Sequence, residues 1–346
     1  MNKKSLVYDL DLNEISSALA AWGEPAFRAR QIWQGIYHNL YPAPEDITNI
    51  PASLRARLGE NYSFSALHPT GVLASSDQQT HKTLFKLSAG QAVEAVLMQY
   101  SDRRTLCIST QAGCAMGCVF CATGQMGFRR HLTSGEIIEQ VLYYARQLKE
   151  QGESVTNIVI MGMGEPFHNY AATMAAVDRL NHPDGFNFGA RRITISTVGL
   201  VPQIRRFAQE RRQVNLAVSL HAADDDLRSS MLPVNRKYPL DELFAACREY
   251  VSLTHRRITF EWALIRDVND SVEQAHRLAS RVNGLLCHVN VIPLNPTQHY
   301  PGQGTTRERA QAFKAELESH GIPCTIRLRR GIDIQAGCGQ LATQSN

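Results

Sequence analysis

The chain has 346 residues, of which 44% are hydrophobic and 20% charged, the composition of a globular protein with one large and one smaller unit. Its formal net charge of +4 is a mild excess that by itself neither indicates nor excludes a nucleic-acid partner. No stretch of about 18 apolar residues occurs, so no membrane span is expected. Eight cysteines without an apolar N-terminal run favour a reducing compartment, the cytoplasm.

The first 100 residues predict two small units ahead of the main domain. Residues 1–65 predict a helical domain with helices at about 14–22, 25–37 and 51–58, the first of them capped by Asn13. Residues 66–100 change to the alternating pattern of strands, and 82–87 and 93–98 predict a connecting β-hairpin.

Residues 101–346 alternate short apolar runs with amphipathic stretches. The runs predict strands at 105–109, 157–161, 192–196, 214–220, 258–265 and 288–293, with a last one at 323–328. Helices are predicted between them, among them 134–149, 240–252, 271–282 and 307–320. Short apolar strands are typical of buried parallel sheets, so six β/α units with right-handed crossovers predict an α/β fold, a partial (β/α)6 parallel barrel.

Three cysteines, Cys114, Cys118 and Cys121, lie at a C-x3-C-x2-C spacing, with Phe120 just before the last of them. Three thiolates leave one iron of a [4Fe–4S] cluster without a protein ligand, so a small molecule could bind there. A zinc site would need a fourth cysteine or histidine at a paired spacing, and His131, the nearest histidine, makes no such pair. The spacing therefore favours an iron–sulfur cluster over zinc or over three structural thiols.

Polar or glycine-rich segments follow five of the predicted parallel strands. The cysteine loop follows the first strand, and the other segments are 161–166, 196–199, 219–222 and 295–296. Functional residues of parallel α/β barrels collect at the carboxyl ends of the strands. These segments therefore predict one substrate-sized site at that edge. Recurrent arginine pairs, such as Arg329-Arg330, are typical of surfaces that contact phosphates.

The cysteine loop resembles the signature of the radical S-adenosylmethionine (radical SAM) enzymes. Stretches at 23–37, 157–169, 191–202, 216–235, 290–296 and 331–341 resemble one family within them, the RNA adenine methyltransferases RlmN with their C8-methylating relative Cfr. The resemblance runs from about residue 10 to residue 342. It implies methylation of C2 of an adenosine in 23S rRNA near the peptidyl-transferase centre, with the tRNA adenosine 3′ of the anticodon as a second candidate substrate. It also implies RNA contacts by the helical domain, an electron donor such as flavodoxin, and a monomer.

The resemblance places three groups of site residues on this sequence. The ligands of a single [4Fe–4S] cluster are Cys114, Cys118 and Cys121. The residues that contact S-adenosylmethionine (SAM) are Gly164, Glu165, Ser196, Ser219, Leu220, His221 and Asn295. The catalytic residues are the methyl-carrying Cys338, its disulfide partner Cys107 and the candidate proton acceptor Glu94.

The implied chemistry uses two SAM molecules per turnover, because C2 of adenine is not nucleophilic and resists polar methyl transfer. By resemblance, one SAM methylates Cys338, and a second, cleaved at the cluster, yields a radical that takes a hydrogen from that methyl group. The carbon radical adds to adenine, and a base removes the ring proton. Cys107 then attacks the sulfur of Cys338 and releases the RNA as a disulfide forms.

Three alternatives stand beside this interpretation. The first is methylation of C8 of the adenine. Family members that methylate C8 often replace the proline after Met-Gly-Met-Gly-Glu, so Pro166 favours methylation of C2. The second is a non-catalytic iron–sulfur RNA-binding protein, which would need neither Cys107 nor Cys338. The third is a zinc-bound RNA-binding module, which the missing fourth ligand disfavours. The sequence departs from the family at Gln78, where glycine is usual, and at Gly337, where alanine is usual. We expect the first to affect a turn and the second only the stiffness of the Cys338 loop.

Overall fold

A computed structural model describes residues 4–327 and 329–342 of the chain. Its N-terminal region contains, in chain order, β1 (Ser5–Leu6), α1 (Leu12–Ala21), α2 (Phe27–Tyr37), α3 (Ala52–Asn61) and β2 (Tyr62–Ser63). The three predicted helices are confirmed, but the predicted cap of the first is wrong. Asp11 accepts a hydrogen bond of 2.8 Å from the Glu14 amide, and Glu14 completes a capping box, so Asn13 lies inside the helix.

Three antiparallel strands follow, β3 (Leu67–Ala74), β4 (Thr80–Leu87) and β5 (Ala92–Gln99). The last two form the predicted hairpin, and β3 is a strand that the sequence did not predict. In addition, β5 pairs antiparallel with β6 (Arg104–Cys107), the first strand of the main domain. The hairpin therefore belongs to the central sheet and is not a separate connecting unit.

The main domain alternates strands and helices, as predicted. After β6 its elements are β7 (Gln111–Gly113), α4 (Ala122–Gln125), β8 (Phe128–His131), α5 (Ser134–Glu150), β9 (Asn157–Ile160), α6 (Tyr170–Asn181), β10 (Ile193–Thr197), α7 (Val201–Gln209), β11 (Asn215–Ser219), α8 (Asp225–Met231), α9 (Leu240–Thr254), β12 (Ile258–Leu264), α10 (Val272–Val282), β13 (Cys287–Pro293), α11 (Arg307–Ser319) and β14 (Cys324–Ile326). Each of the seven predicted strands overlaps one of these.

The central sheet has ten strands in the order β14–β13–β12–β11–β10–β9–β6–β5–β4–β3, and those from β14 to β6 are parallel. This is the predicted α/β fold with a partial (β/α)6 barrel, to which β14 adds a seventh parallel strand. Within the described residues the edge strands β14 and β3 do not pair with each other, so the barrel is open. None of the described helices combines the length and apolar character needed to cross a bilayer.

The N-terminal helices share one hydrophobic core with the main domain. Trp33 of α2 packs edge-on against His182 at the end of α6, with ring centroids 5.1 Å apart. Arg179 of α6 donates from Nε to the Leu10 carbonyl at 3.1 Å, and Arg146 of α5 donates from Nε to the Leu40 carbonyl at 2.9 Å. The N-terminal region is thus fixed to the outer helices α5 and α6 by core packing and by hydrogen bonds.

Candidate active site

The cysteine loop connects the two short strands β7 and β8. The Cys114 amide donates to the Gly127 carbonyl at 3.1 Å, which closes the base of the loop. Gly113 has a φ of +70°, and a Cβ there would overlap the Gly127 carbonyl oxygen. Glycine is therefore required where the two ends of the loop approach each other.

The three cysteine sulfurs are spaced too widely for a single zinc ion. Sulfurs that bind one tetrahedral zinc lie roughly 3.8 Å apart, given bonds of about 2.3 Å. Those of Cys114, Cys118 and Cys121 are not all within 4.8 Å of one another. Burial raises the pKa of Cys114 to about 12 and that of Cys118 well above its ordinary value. In an iron–sulfur cluster each sulfur would bind a different iron, and the positive charge of the irons would favour the thiolates.

A glycine-rich turn after β9 forms one wall of the cavity next to these cysteines. Gly164 has a φ of +99°, and a Cβ there would lie 2.5 Å from Cβ of Gln111. Glu165, which follows it, accepts hydrogen bonds from the Phe167 amide at 3.0 Å and the Val198 amide at 2.9 Å. Burial nevertheless raises the pKa of Glu165 to about 7. The Thr197 side chain also hydrogen-bonds to this carboxyl group, and Gly164 and Glu165 both line the cavity.

The ends of β10 and β11 bring two hydroxyl groups together in the same cavity. The Oγ atoms of Ser196 and Ser219 lie 3.3 Å apart, and both residues are half-buried. Hydroxyls can donate and accept, so this pair could bind the hydroxyls of a ribose.

His221 is held as a neutral ring on the cavity wall. It has a φ of +63°, and its Nδ1 accepts a hydrogen bond of 2.9 Å from the Ala263 amide. Burial lowers the pKa of His221 to about 3, so its proton is on Nε2, the nitrogen left to donate to a ligand. Phe120 packs edge-on against the ring at 5.0 Å between centroids. The neighbouring Leu220 is different, because its side chain lies in the hydrophobic core and does not line the cavity.

Two buried oxygen atoms in the cavity wall have no hydrogen-bond partner among the described residues. They are Oδ1 of Asn295 and Oε2 of Glu261. Nδ2 of Asn295 donates to the Cys338 carbonyl at 3.1 Å, while Oε1 of Glu261 accepts from Nδ2 of Asn290 at 3.1 Å. Unpaired buried acceptors are costly, so both call for a donor-rich ligand. SAM, with its ammonium, amino group and ribose hydroxyls, fits this requirement.

The sequence did not predict Glu261. The signal was present, because a glutamate in the middle of the apolar strand Ile-Thr-Phe-Glu-Trp-Ala-Leu is out of place in a purely structural β-strand. Arg327, which follows β14, was also missed. It lines the cavity near Glu261, and its pKa is raised, first by the nearby Cys338 sulfur and then by Glu261.

Cys107 and Cys338 line one cavity, together with Cys121 and Arg327. Cys107 is at the end of β6, where burial and then the neighbouring Cys338 raise its pKa to about 12. Cys338 is exposed and also lines the larger cavity that contains the Ser196–Ser219 pair. Both cysteines are free thiols. The structure therefore brings together residues from the two ends of the main domain.

Glu94 lies apart from both cavities. Its Oε1 is 3.1 Å from Nζ of Lys82, and its Oε2 accepts from the Ala342 amide at 3.0 Å. Burial raises the pKa of Glu94, an effect that Lys82 opposes. The candidate proton acceptor is thus next to the C-terminal segment but does not line the described cavity walls.

Similar proteins identify the family. Residues 108–279 match the radical SAM superfamily, and residues 6–63 match the ribosomal RNA large subunit methyltransferase N-terminal domain. The probable dual-specificity RNA methyltransferase RlmN of Chloroflexus aurantiacus is 50% identical over 97% of this chain and 92% of its own length. The dual-specificity RNA methyltransferase RlmN 1 of Myxococcus xanthus is 49% identical over 97% of this chain and 93% of its own length.

The chain belongs to the RlmN family of radical SAM methyltransferases. A solved radical SAM methyltransferase from Sphaerobacter thermophilus has the same fold, with a TM-score of 0.95 and 53% identity over 97% of this chain and 99% of that one. Membership in the RlmN family implies a [4Fe–4S] cluster and SAM as cofactors. Both agree with the sulfur spacing and with the unpaired acceptors of the cavity.

Proposed function

We propose that the chain methylates C2 of an adenosine in 23S rRNA near the peptidyl-transferase centre, and also the tRNA adenosine 3′ of the anticodon. The observation that carries this proposal is the cavity shared by Cys107, Cys338 and Cys121. An RNA-binding protein would need no pair of reactive thiols beside a cluster site. The relatives named as dual-specificity RNA methyltransferases support both RNA substrates.

The residues around the cavity would hold two cofactors in contact. Cys114, Cys118 and Cys121 would bind the cluster, which supplies the electron that cleaves SAM to a 5′-deoxyadenosyl radical. Glu165 would accept from the methionyl ammonium, the Ser196–Ser219 pair and Asn295 would bind the ribose, and Nε2 of His221 would donate. Gly164 lets the backbone approach closely, and Leu220 would act only through its backbone. The reaction would also need an electron donor such as flavodoxin, and it would use two SAM molecules per turnover.

Three side chains would carry the methyl group and the protons. Cys338 takes a methyl group from the first SAM, and the carbon of that group becomes bonded to C2 of the adenine. Glu94 accepts the C2 proton, for which its raised pKa is suited. Cys107 then attacks Sγ of Cys338, so the sulfur–carbon bond breaks as the sulfur–sulfur bond forms. The electron pair of the broken bond stays on the carbon, which takes a proton to complete the methyl group, and the RNA leaves.

The cavity that contains both thiols has an arginine-rich rim. Arg327, Arg329 and Arg330 line it, and the Arg330 guanidinium lies 4.3 Å from the centroid of the Tyr100 ring. Guanidinium groups bind phosphates, so an RNA backbone would be held at this opening. The RNA substrate and the free thiols are consistent with a cytoplasmic enzyme, and we propose that it acts as a monomer.

Nucleoside analysis tests the proposal. Anaerobically reconstituted protein is incubated with SAM, a reductant and either an rRNA or a tRNA fragment, and the digested RNA is compared with 2-methyladenosine and 8-methyladenosine by mass spectrometry. We expect 2-methyladenosine from the wild type and from Cys287→Ala, a buried cysteine outside both cavities, and none from Cys338→Ala. Formation of 8-methyladenosine, or no methylated adenosine from a protein with an intact cluster, would contradict C2 methylation.

A further inference from the structure

The segment that carries Cys338 is attached to the antiparallel strands β4 and β5 through a buried ion pair. Nζ of Lys82 on β4 lies 3.1 Å from Oε1 of Glu94 on β5, and these side chains are only 7% and 5% exposed. Glu94 pairs in register with Leu84, two residues from Lys82, so the two side chains share one face of the sheet. A buried ion pair is tolerated only where each ion has further polar partners.

Those further partners lie on either side of Cys338. Lys82 Nζ donates to the Gln335 carbonyl at 3.2 Å, and Glu94 Oε2 accepts from the Ala342 amide at 3.0 Å. The ion pair therefore binds the chain both before and after the methyl-carrying residue. These contacts attach the C-terminal segment to β4 and β5.

Contacts from the opposite side hold the middle of the same segment. The Ala122 amide, just after the last cluster cysteine, donates to the Gly339 carbonyl at 2.8 Å. Asn295 donates to the Cys338 carbonyl, and a Cβ on Gly337 would lie 2.6 Å from the Asn295 Nδ2. Gly337 therefore does more than alter the stiffness of the loop, because it lets Asn295 reach Cys338. The backbone around Cys338 is therefore held both by these bonds and by the ion pair.

We propose that Lys82 is a positioning residue for Cys338. The Lys82–Glu94 pair and its bonds to Gln335 and Ala342 form an ionic clamp. This clamp fixes both ends of the loop that carries Cys338. The significance of this clamp for methyl transfer rests on the proposed function, whereas its effect on the loop does not.

The clamp depends on the charge of Glu94. A neutral carboxyl group attracts an ammonium group less strongly and is a weaker acceptor for the Ala342 amide. Uptake of the C2 proton by Glu94 would therefore loosen the loop at the step in which Cys107 must reach the sulfur of Cys338. The Glu94→Gln variant reproduces the neutral state with little change in shape.

Hydrogen–deuterium exchange of the reconstituted holoenzyme tests the clamp directly. In Lys82→Met we expect amides of residues 333–342 to exchange about tenfold faster, with the cluster absorbance unchanged. Glu94→Gln should have the same effect, and Lys82→Arg should restore most of the protection. Lys86→Met is the matched control, because Lys86 is on the same strand and face but is exposed.

A second variant tests the clamp without leaving a buried charge unpaired. Ala342→Pro removes the amide that donates to Glu94, whereas Ala342→Gly keeps it. We expect faster exchange around Cys338, and several-fold slower methyl loading of Cys338 measured by intact mass, in Ala342→Pro but not in Ala342→Gly. If neither Lys82→Met nor Ala342→Pro changes exchange in the loop, the clamp does not exist. A wild type that makes no methyladenosine would instead reject the proposed function and leave the exchange result valid.

Discussion

Cys107 and Cys338 have environments that suit the different roles proposed for them. Cys107 is half-buried, with its pKa raised to about 12, while Cys338 is exposed between Gly337 and Gly339. An exposed thiol can meet two ligands in turn, whereas a thiol with a raised pKa stays protonated and unreactive until its partner approaches. Sequence spacing alone could not predict this pair, because only the fold brings the end of β6 next to the C-terminal loop.

Replacing each cysteine in turn should separate the two roles. Cys338→Ala should abolish methyl loading and product together, since no other thiol accepts the methyl group. Cys107→Ala should still load the methyl group and attack the RNA but fail to release it, because no disulfide can form. The measurement is a denaturing gel, on which Cys107→Ala should accumulate a slowly migrating, nuclease-sensitive band.

Cys247→Ala is the matched control for this trap. Cys247 has, like Cys107, a pKa raised to about 12, but it is fully buried in α9 away from both cavities. It should turn over normally. Normal turnover of Cys107→Ala, or a stall without a cross-link, would show that release does not proceed through Cys107.

Glu139 should make stability depend on pH. Its Oε2 accepts from the amides of Ala66 and Leu67 at 2.9 and 3.2 Å, and burial raises its pKa to about 7 from an ordinary 4.5. Because the folded state holds this proton more tightly than the unfolded state, the protonated group contributes fully to stability below pH 4.5. This contribution is lost as the pH rises through 7 and the folded state loses the proton. The free energy of unfolding should fall by up to about 3 kcal/mol more in wild type than in Glu139→Gln across this range. Urea unfolding at each pH measures it, and equal slopes would contradict the shifted pKa.

Among the secondary-structure elements, the sequence predicted those whose residues show a regular apolar pattern because they are buried. The parallel strands were predicted well because helices cover them and their residues are apolar. By contrast, β3 was missed because every residue after Leu67 is exposed and because Pro69 and Gly71 interrupt the pattern. Similarly, Glu261 was missed because strand periodicity indicates where a side chain lies but not whether a buried carboxyl group has a partner.

Buried Arg228 of α8 connects the segments that follow β10 and β11. It donates to the carbonyls of Val198 at 2.7 Å and Leu220 at 3.1 Å and to Oδ1 of Asn235 at 2.8 Å. Replacing it with methionine would leave these acceptors unpaired and should lower the free energy of unfolding by about 2–4 kcal/mol. It should also weaken SAM binding.

Urea denaturation and calorimetric SAM titration measure the two effects of Arg228→Met. The exposed Arg236 provides the control variant Arg236→Met, which should stay within about 0.5 kcal/mol of wild type. A stable Arg228→Met protein with unchanged SAM affinity would show that these acceptors find other donors.

For the molecule as a whole, the N-terminal region and the main domain cannot be treated as independent parts. The sequence predicted RNA contacts by residues 1–65, but the core that they share with α5 and α6 means that deleting them would expose apolar surface. The arginine-rich rim belongs to the main domain. Charge substitutions therefore test RNA binding more cleanly than truncation.

The Arg329→Gln, Arg330→Gln double variant should weaken RNA binding at low salt. Its plot of log affinity against log salt concentration should be shallower by about 1–2 units, because up to two phosphate contacts are lost. Filter binding across a salt series measures this slope. Arg277→Gln, in α10 and half-exposed beside Glu273, is the control and should leave the slope unchanged. An unchanged slope in the double variant would place the RNA elsewhere.

The position of the Cys338 loop in the chain has a consequence for the order of biosynthesis. The residues that anchor the loop from outside, Lys82 and Asn295 among them, precede it in the chain, and β14 completes the sheet just before it. A ribosome therefore synthesises the cluster loop and most of the barrel well before it adds Cys338, in keeping with folding that proceeds from the N-terminus. A nascent chain could thus acquire its iron while it still lacks the thiol proposed to carry the methyl group.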